Sequence, residues 1–134
     1  MSSNKIGIHP DGVNPLRPGV YTPAIVANGF VFVSGVLGAD PVTKKMVEGT
    51  MLDRFHQIMK NLKVTLEAAG SSVEDAVEVN VFLTKISDSD VLSPAYKTYW
   101  GDLMPARTCV AVKELPYGSD IELKCVAVLS NKAS

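Results

Sequence analysis

Between residues 50 and 84 the chain changes its hydrophobic period once, and that change restricts the available folds more than any other feature. Leu52, Phe55, Met59, Leu62, Leu66 and Ala69 recur at helical spacing. Thr50 can cap that helix at its start, and Gly70 can end it. From Ala76 to Thr84 the period drops to two, with Val77, Val79, Val81 and Leu83 alternating with Glu78, Asn80, Phe82 and Thr84. A one-sided helix running straight into a one-sided strand has to bury its stripe on a sheet.

The flanking segments extend this pattern. Tyr21 to Val26, Ala27-Asn28-Gly29 and Phe30 to Gly35 read as a β-hairpin, since Asn-Gly accepts the positive φ angles of a two-residue turn. A turn through Gly38-Ala39-Asp40-Pro41 follows, with a short strand expected around Lys45 to Glu48. A second helix is expected from about Asp90 to Trp100, where Pro94 is tolerable only in the first turn. Strands at 106–112 and 120–129 flank a turn containing Leu115-Pro116-Tyr117-Gly118. At 134 residues this is a single domain spanning 1–134, in which residues 1–19 form an irregular arm. The expected fold class is α+β, with two helices packed on one face of a sheet.

Function classes narrow from charge. The formal net charge is −1, so no bulk attraction to nucleic acid or anionic membrane is expected. No apolar run approaches the roughly 20 residues that span a bilayer. The N-terminal stretch lacks an apolar signal core and has few arginines. A cytoplasmic location is the default, with a mitochondrial one left open although no transit peptide is seen. The two cysteines, Cys109 and Cys125, are expected to stay reduced, because parity assigns them to different environments.

The second face of the sheet carries the chemistry. Alternation in MPARTCVAV sets Thr108, Val110 and Val112 on an expected core face and Arg107, Cys109 and Ala111 on the other. Arg107 and Cys109 would then join Glu78, Asn80, Phe82, Thr84, Glu122 and Lys124 on a face too apolar to stay wet, which suits contact with another subunit. A guanidinium there needs an anion, either a structural acid or a ligand carboxylate held through two parallel hydrogen bonds. Glu122 is either the partner of Arg107 or Lys124, or a carboxylate that positions a water. Cys109 is expected to be a small buried residue rather than a nucleophile, since neither His9 nor His56 is placed as its base. Two isolated histidines give no metal-ligand spacing, so no metal is expected. Tyr96 and Tyr99 read as core or interface, and no phosphate-binding glycine loop is present.

Five segments in order carry a resemblance: VYTPA at 20–24, FVFVSG at 30–35, NLKVTLEAAGSSVEDAVEVNVFLT at 61–84, PARTCVAV at 105–112 and ELPYGSDIELKCVAV at 114–128. Together they resemble the reactive intermediate deaminase family, the RidA or YjgF type once called endoribonuclease L-PSP. The resemblance implies a chorismate mutase-like fold assembled as a homotrimer, with a site between each pair of neighbours. It implies hydrolysis of 2-imino acids and their enamine tautomers, such as 2-aminoacrylate, to 2-oxo acids and ammonia without cofactor or metal. It implies that Arg107 grips the substrate carboxylate, Glu122 holds the attacking water, Cys109 contributes main chain, Tyr21 stands at the mouth, and Ser34 and Gly35 line the site.

The chain departs from the family pattern at Pro23 and Val36, where glutamines are common, at Ser93, expected to bind substrate, where the second helix usually has an asparagine, and at Lys124 for a glutamate. These departures bear on substrate preference. The alternatives are a non-catalytic trimer that binds small carboxylates and regulates a partner, and a ribonuclease or translation inhibitor, which the charge disfavours.

Overall fold

The structure is a computed structural model that describes residues 4–13 and 15–130. In chain order the elements are β1 (Ile6–Ile8), β2 (Ala24–Ala27), β3 (Phe30–Val33), α1 (Met51–Ala68), β4 (Ala76–Leu83), α2 (Asp88–Tyr96), β5 (Ala106–Ala111) and β6 (Ile121–Val128). The strands form one six-stranded sheet in the order β1-β2-β3-β6-β4-β5. Only β4 and β5 run parallel, and α2 supplies the crossover that a parallel pair requires.

The hairpin forms as its sequence demands. β2 and β3 pair around Asn28 and Gly29, whose φ angles of 53° and 81° are those of a turn matched to strand twist. α1 starts at Thr50 through a reciprocal capping box: Thr50 Oγ1 accepts from the Asp53 amide, and the Asp53 carboxylate accepts from the Thr50 amide at 2.8 Å. Phe55, Ile58, Leu62 and Leu66 are fully buried from this helix, against Val31, Leu123, Cys125 and other residues of the sheet. The family-level fold, α+β with two helices and a mixed sheet, is therefore as expected.

Several local expectations fail. The arm is not irregular throughout, because Ile6–Ile8 adds an edge strand to β2. The segment Lys45–Glu48 makes no strand; it closes a loop by a single bridge between Ala39 and Met46. The second helix begins earlier, at Asp88, so Pro94 falls in its last turn. Pro94 has no N–H for the Asp90 carbonyl, and both residues are exposed, so water can serve that oxygen. In β4 a bulge between Ala76 and Glu78 turns Val77 outward and buries Ala76 instead.

The most consequential correction concerns β5. Its parallel register sets Arg107 opposite Val79 and Cys109 opposite Val81, residues whose side chains are buried under the helices. Arg107 and Cys109 therefore belong to the helix face. Thr108 and Val110 lie on the open face with Asn80 and Phe82. Lys124 and Glu122, paired with those same two residues from the other side, share the open face. Val110 and Val112 suggested a core face, but on an edge strand the register with β4 decides.

Two contacts hold the segment after β3 in place. Asn61 of α1, buried, donates to the carbonyls of Leu37 and Ala39 at 3.2 and 3.0 Å. Gly38 passes so close that a Cβ there would lie 2.6 Å from the Arg54 carbonyl oxygen, which only glycine permits. Arg54 itself reaches Asp120, just before β6, at 2.7 Å.

Candidate active site

Glu122 is half-buried on the open face of β6, and burial pushes its carboxyl above the usual carboxylate range. The strand beside it bulges. Phe32 pairs with Val126 and Val36 with Leu123, so β3 and its continuation advance four residues while β6 advances three. That extra residue brings Gly35 against the glutamate, where a Cβ would meet Cδ of Glu122 at 3.0 Å. Ser34 is tied down beside it, donating from Oγ to the Thr22 carbonyl at 2.6 Å and from its amide to Pro23 at 2.9 Å. Tyr21 accepts from the Leu16 amide at 3.2 Å. Tyr21, Ser34, Gly35 and Glu122 all line one cavity of about 520 Å³.

Arg107 is elsewhere. Its guanidinium lies over the Tyr96 ring, 4.5 Å from the centroid, and donates to Ser93 Oγ at 3.4 Å and Ser89 Oγ at 3.3 Å. Ser93 donates its own proton to the Ser89 carbonyl at 2.8 Å, which turns its lone pairs toward the arginine. Burial raises the Tyr96 phenol to about 12, so the ring is a neutral partner at any ordinary pH. The ion pairs of Arg54 with Asp120 and of Lys63 with Glu67 do not involve Arg107. A half-buried cation is thus cradled by two hydroxyls and an aromatic face, none of which neutralises it. No acidic side chain among the described residues is paired with Arg107.

The expected site residues fall into two groups. One is the Glu122 cavity; the other is Arg107 with Ser93. Cys109 shares the helix face with Arg107 and packs against the core, outside the cavity. It is not paired with Cys125, although for a different reason than parity: both thiols face the helices, with β4 between their strands. A separation of two strand spacings, about 10 Å, exceeds the reach of a disulfide. Lys124 shares the open face with Glu122 but points its Nζ toward the Val33 carbonyl at 3.5 Å. His56 meets the Tyr99 hydroxyl instead of any site residue. Among the described residues no three histidine, cysteine or acidic side chains gather as a metal would require.

Ser89 and the face of Tyr96 were not singled out from sequence. Ser89, Ser93 and Tyr96 recur at i, i+4 and i+7, one stripe of a helix, and that spacing is the signal that identifies them.

The family described as endoribonuclease L-PSP matches residues 13–129. A RutC family protein of Aquifex aeolicus is 40% identical over 116 residues, covering 85% of this chain and 92% of that protein. The 2-iminobutanoate/2-iminopropanoate deaminase of Rattus norvegicus is 36% identical, covering 85% of this chain and 83% of the rat protein. The chain belongs to the reactive intermediate deaminase family. Solved members superpose closely. RidA from an Antarctic Psychrobacter has a TM-score of 0.86 at 35% identity, covering 92% of this chain and 99% of that one. Escherichia coli TdcF, solved with bound serine, has a TM-score of 0.83 at 28% identity, covering 93% and 99%. No helix among the described residues is long and apolar enough to cross a membrane.

Proposed function

We propose that the chain hydrolyses 2-imino acids to 2-oxo acids and ammonia, acting as a homotrimer whose sites each combine two copies. One observation carries this reading: an Arg107 without an acid partner among the described residues, on the helix face, and a half-buried Glu122 on the open face of the same sheet. A cation without an acid partner is a dock for a small anion, and a carboxylate raised above its usual range is suited to manage a proton. Within one chain the sheet separates them, so they can serve one substrate only if Arg107 of one copy reaches Glu122 of the next. The open face supports such assembly. Phe30, Phe32 and Val110 are 40%, 42% and 41% exposed there, leaving apolar surface for a neighbour.

In this mechanism Arg107 holds the substrate carboxylate through paired hydrogen bonds, with Ser89, Ser93 and Tyr96 fixing the guanidinium plane. Ser34 and Gly35 form the wall beside C2, and Tyr21 bounds the mouth. Glu122 orients a water and takes its proton as the oxygen attacks C2 of the protonated imine. The proton then moves to the nitrogen of the tetrahedral adduct, the freed Glu122 carboxylate takes the proton of the new hydroxyl as the C–N bond breaks, and ammonia leaves as the 2-oxo acid forms. Serine in the related TdcF carries the same carboxylate and a nitrogen on the same carbon.

An amino acid oxidase that generates 2-imino acids in situ supplies the test. Wild-type protein is expected to speed 2-oxo acid release, and Arg107→Ala to abolish the effect. Equal rates with wild type, variant and buffer would eliminate the deaminase. Tight calorimetric binding of 2-oxo acids, unchanged in Glu122→Ala and without any rate effect, would instead establish the regulatory carboxylate-binding module.

A further inference from the structure

The open face of the sheet has apolar borders and a charged centre. On one side, Phe30 and Phe32 of β3 lie beside Val128 and Val126 of β6. On the other, Phe82 of β4 lies between Glu122 of β6 and Val110 of β5. Between those borders the strand registers set Lys124, Asn80 and Thr108 side by side across β6, β4 and β5. Glu78 stands diagonally from the lysine, opposite Val126, and its exposed carboxylate accepts from the Asn80 amide at 3.3 Å.

Lys124 is half-buried, and its Nζ reaches toward β3, where the Val33 carbonyl lies 3.5 Å away, a weak contact. Glu78 is on β4, at the other side of β6, so the lysine turns away from it. Glu122, two residues along on the same face, is not its partner either. Burial alone shifts that carboxyl, and shifts it upward, whereas an ammonium beside it would lower it. Covering this face with a neighbour takes Lys124 out of water, and a desolvated ammonium needs an anion. Glu78 is the acid of the open face left to supply it.

A cyclic trimer brings the two together. Its interfaces are heterologous, so one patch of each copy meets a different patch of the next. The places of the two charges also match the composite site. Lys124 lies two residues from Glu122, about 7 Å along β6. Glu78 lies opposite Ala106, the residue before Arg107 on the edge strand β5. A contact between Glu78 of one copy and Lys124 of the next therefore draws the β5 edge of the first toward Glu122 of the second. We propose that Lys124 forms an ion pair with Glu78 of a second copy, and that this pair fixes the register in which Arg107 and Glu122 of different copies meet. The inference rests on the shared-site homotrimer and names the contact that aligns it.

Sedimentation velocity over a dilution series, on wild type and charge-reversed variants, supplies the test. Neither side chain belongs to the core, so Glu78→Lys and Lys124→Glu leave it intact. Each variant alone is expected to raise the concentration of half-dissociation by at least about 10-fold, because a like pair replaces an unlike one at every junction. The double variant is expected to return to within about 3-fold of wild type. An equal mixture of the two single variants shows where the pair lies. In a mixed trimer two of the three junctions carry opposite charges, so mixing is expected to restore trimers at a concentration where neither variant forms them. A pair within one chain would stay mismatched in every copy. Mixing without rescue, or single variants that assemble as tightly as wild type, overturns the pairing. A monomeric wild type defeats the homotrimer, and this contact with it. A wild-type trimer that accelerates no imine hydrolysis defeats the deaminase and leaves the contact standing.

Discussion

Arg107 projects from β5 toward the helices, while Glu122 projects from β6 to the opposite side of the sheet, with β4 between them. No side-chain motion within one chain can bring a guanidinium through a packed sheet to that carboxylate. If both act on one substrate, each site draws them from different copies. Complementation follows by arithmetic. Arg107→Ala and Glu122→Gln are each expected to be inactive alone, and co-assembly of equal amounts should restore about a quarter of wild-type activity, since one site in four then pairs an intact arginine with an intact glutamate. Refolded mixtures with no recovered activity would show that the two residues do not share an intersubunit site.

The neutral cradle of Arg107 makes a separate prediction. Ser89→Ala and Ser93→Ala each remove one long hydrogen bond to a charged group, at 3.3 and 3.4 Å. Each loss is expected to cost about 1 kcal/mol of substrate binding, or roughly 5-fold in KM, with kcat changed less than about 2-fold. Tyr96→Phe behaves differently. The Tyr96 hydroxyl is buried without a partner, so deleting it should leave KM unchanged and hold or raise the melting temperature. Tyr96→Leu removes the ring face and should raise KM by an amount comparable with the serine variants. Steady-state kinetics on the four proteins, with thermal melts, separates these outcomes.

Much of the fold was legible because local signals agreed with tertiary ones. Asn28-Gly29 demanded the hairpin turn, Thr50 and Gly70 bracketed α1, and the alternation of β6 named its buried face. The failures share a cause. Three residues, Ile6 to Ile8, are too few to display a period, so β1 was hidden in the arm. In β5, alternation defined two faces but not which one meets the helices; that depends on the parallel register with Val79, which no local pattern encodes. The site was accordingly half legible. Tyr21, Ser34, Gly35 and Glu122 do share a cavity, whereas Arg107 and Cys109 were assigned to the wrong face, and the Ser89 contact depends on how α2 settles over β5.

Glu122 links the site to pH. Burial raises its carboxyl, so the folded protein holds that proton to a higher pH than the unfolded chain does. Two consequences differ in sign. The proposed hydrolysis requires the ionised form, so kcat/KM is expected to fall on the acid side with an apparent pKa above the ordinary glutamate value of about 4.3. Stability shows the opposite trend: this residue's contribution declines as pH rises from the unfolded pKa through the folded one, because burial penalises the charge. Glu122→Gln should therefore lose activity yet melt no lower than wild type at pH 7, a trade between stability and function. A pH–rate profile with melts of both proteins checks each half.

Asp120 provides the contrasting titration. Its hydrogen bonds to Arg54, at 2.7 and 2.8 Å, hold its carboxyl below the usual range, despite an opposing effect of burial. A depressed acid contributes stability that is complete above the unfolded pKa of about 3.9 and is lost as pH falls through the folded value. Arg54 also donates to the carbonyls of Val47 and Gly49, so this pair ties α1 both to the preceding loop and to the start of β6. Asp120→Asn removes the charge and leaves Arg54 with those carbonyls, at an expected cost of about 1–3 kcal/mol. For a chain of this size that lowers the melting temperature by several degrees at pH 7, on the order of 3–10 °C. Below about pH 4 the carboxyl of the unfolded chain takes up a proton while the folded one is still ionised, so the gap between the two melting curves should narrow steadily toward acid. A gap that stays constant from pH 7 to pH 3 would mean that the pair contributes through shape and hydrogen bonding alone, with no share from its charge.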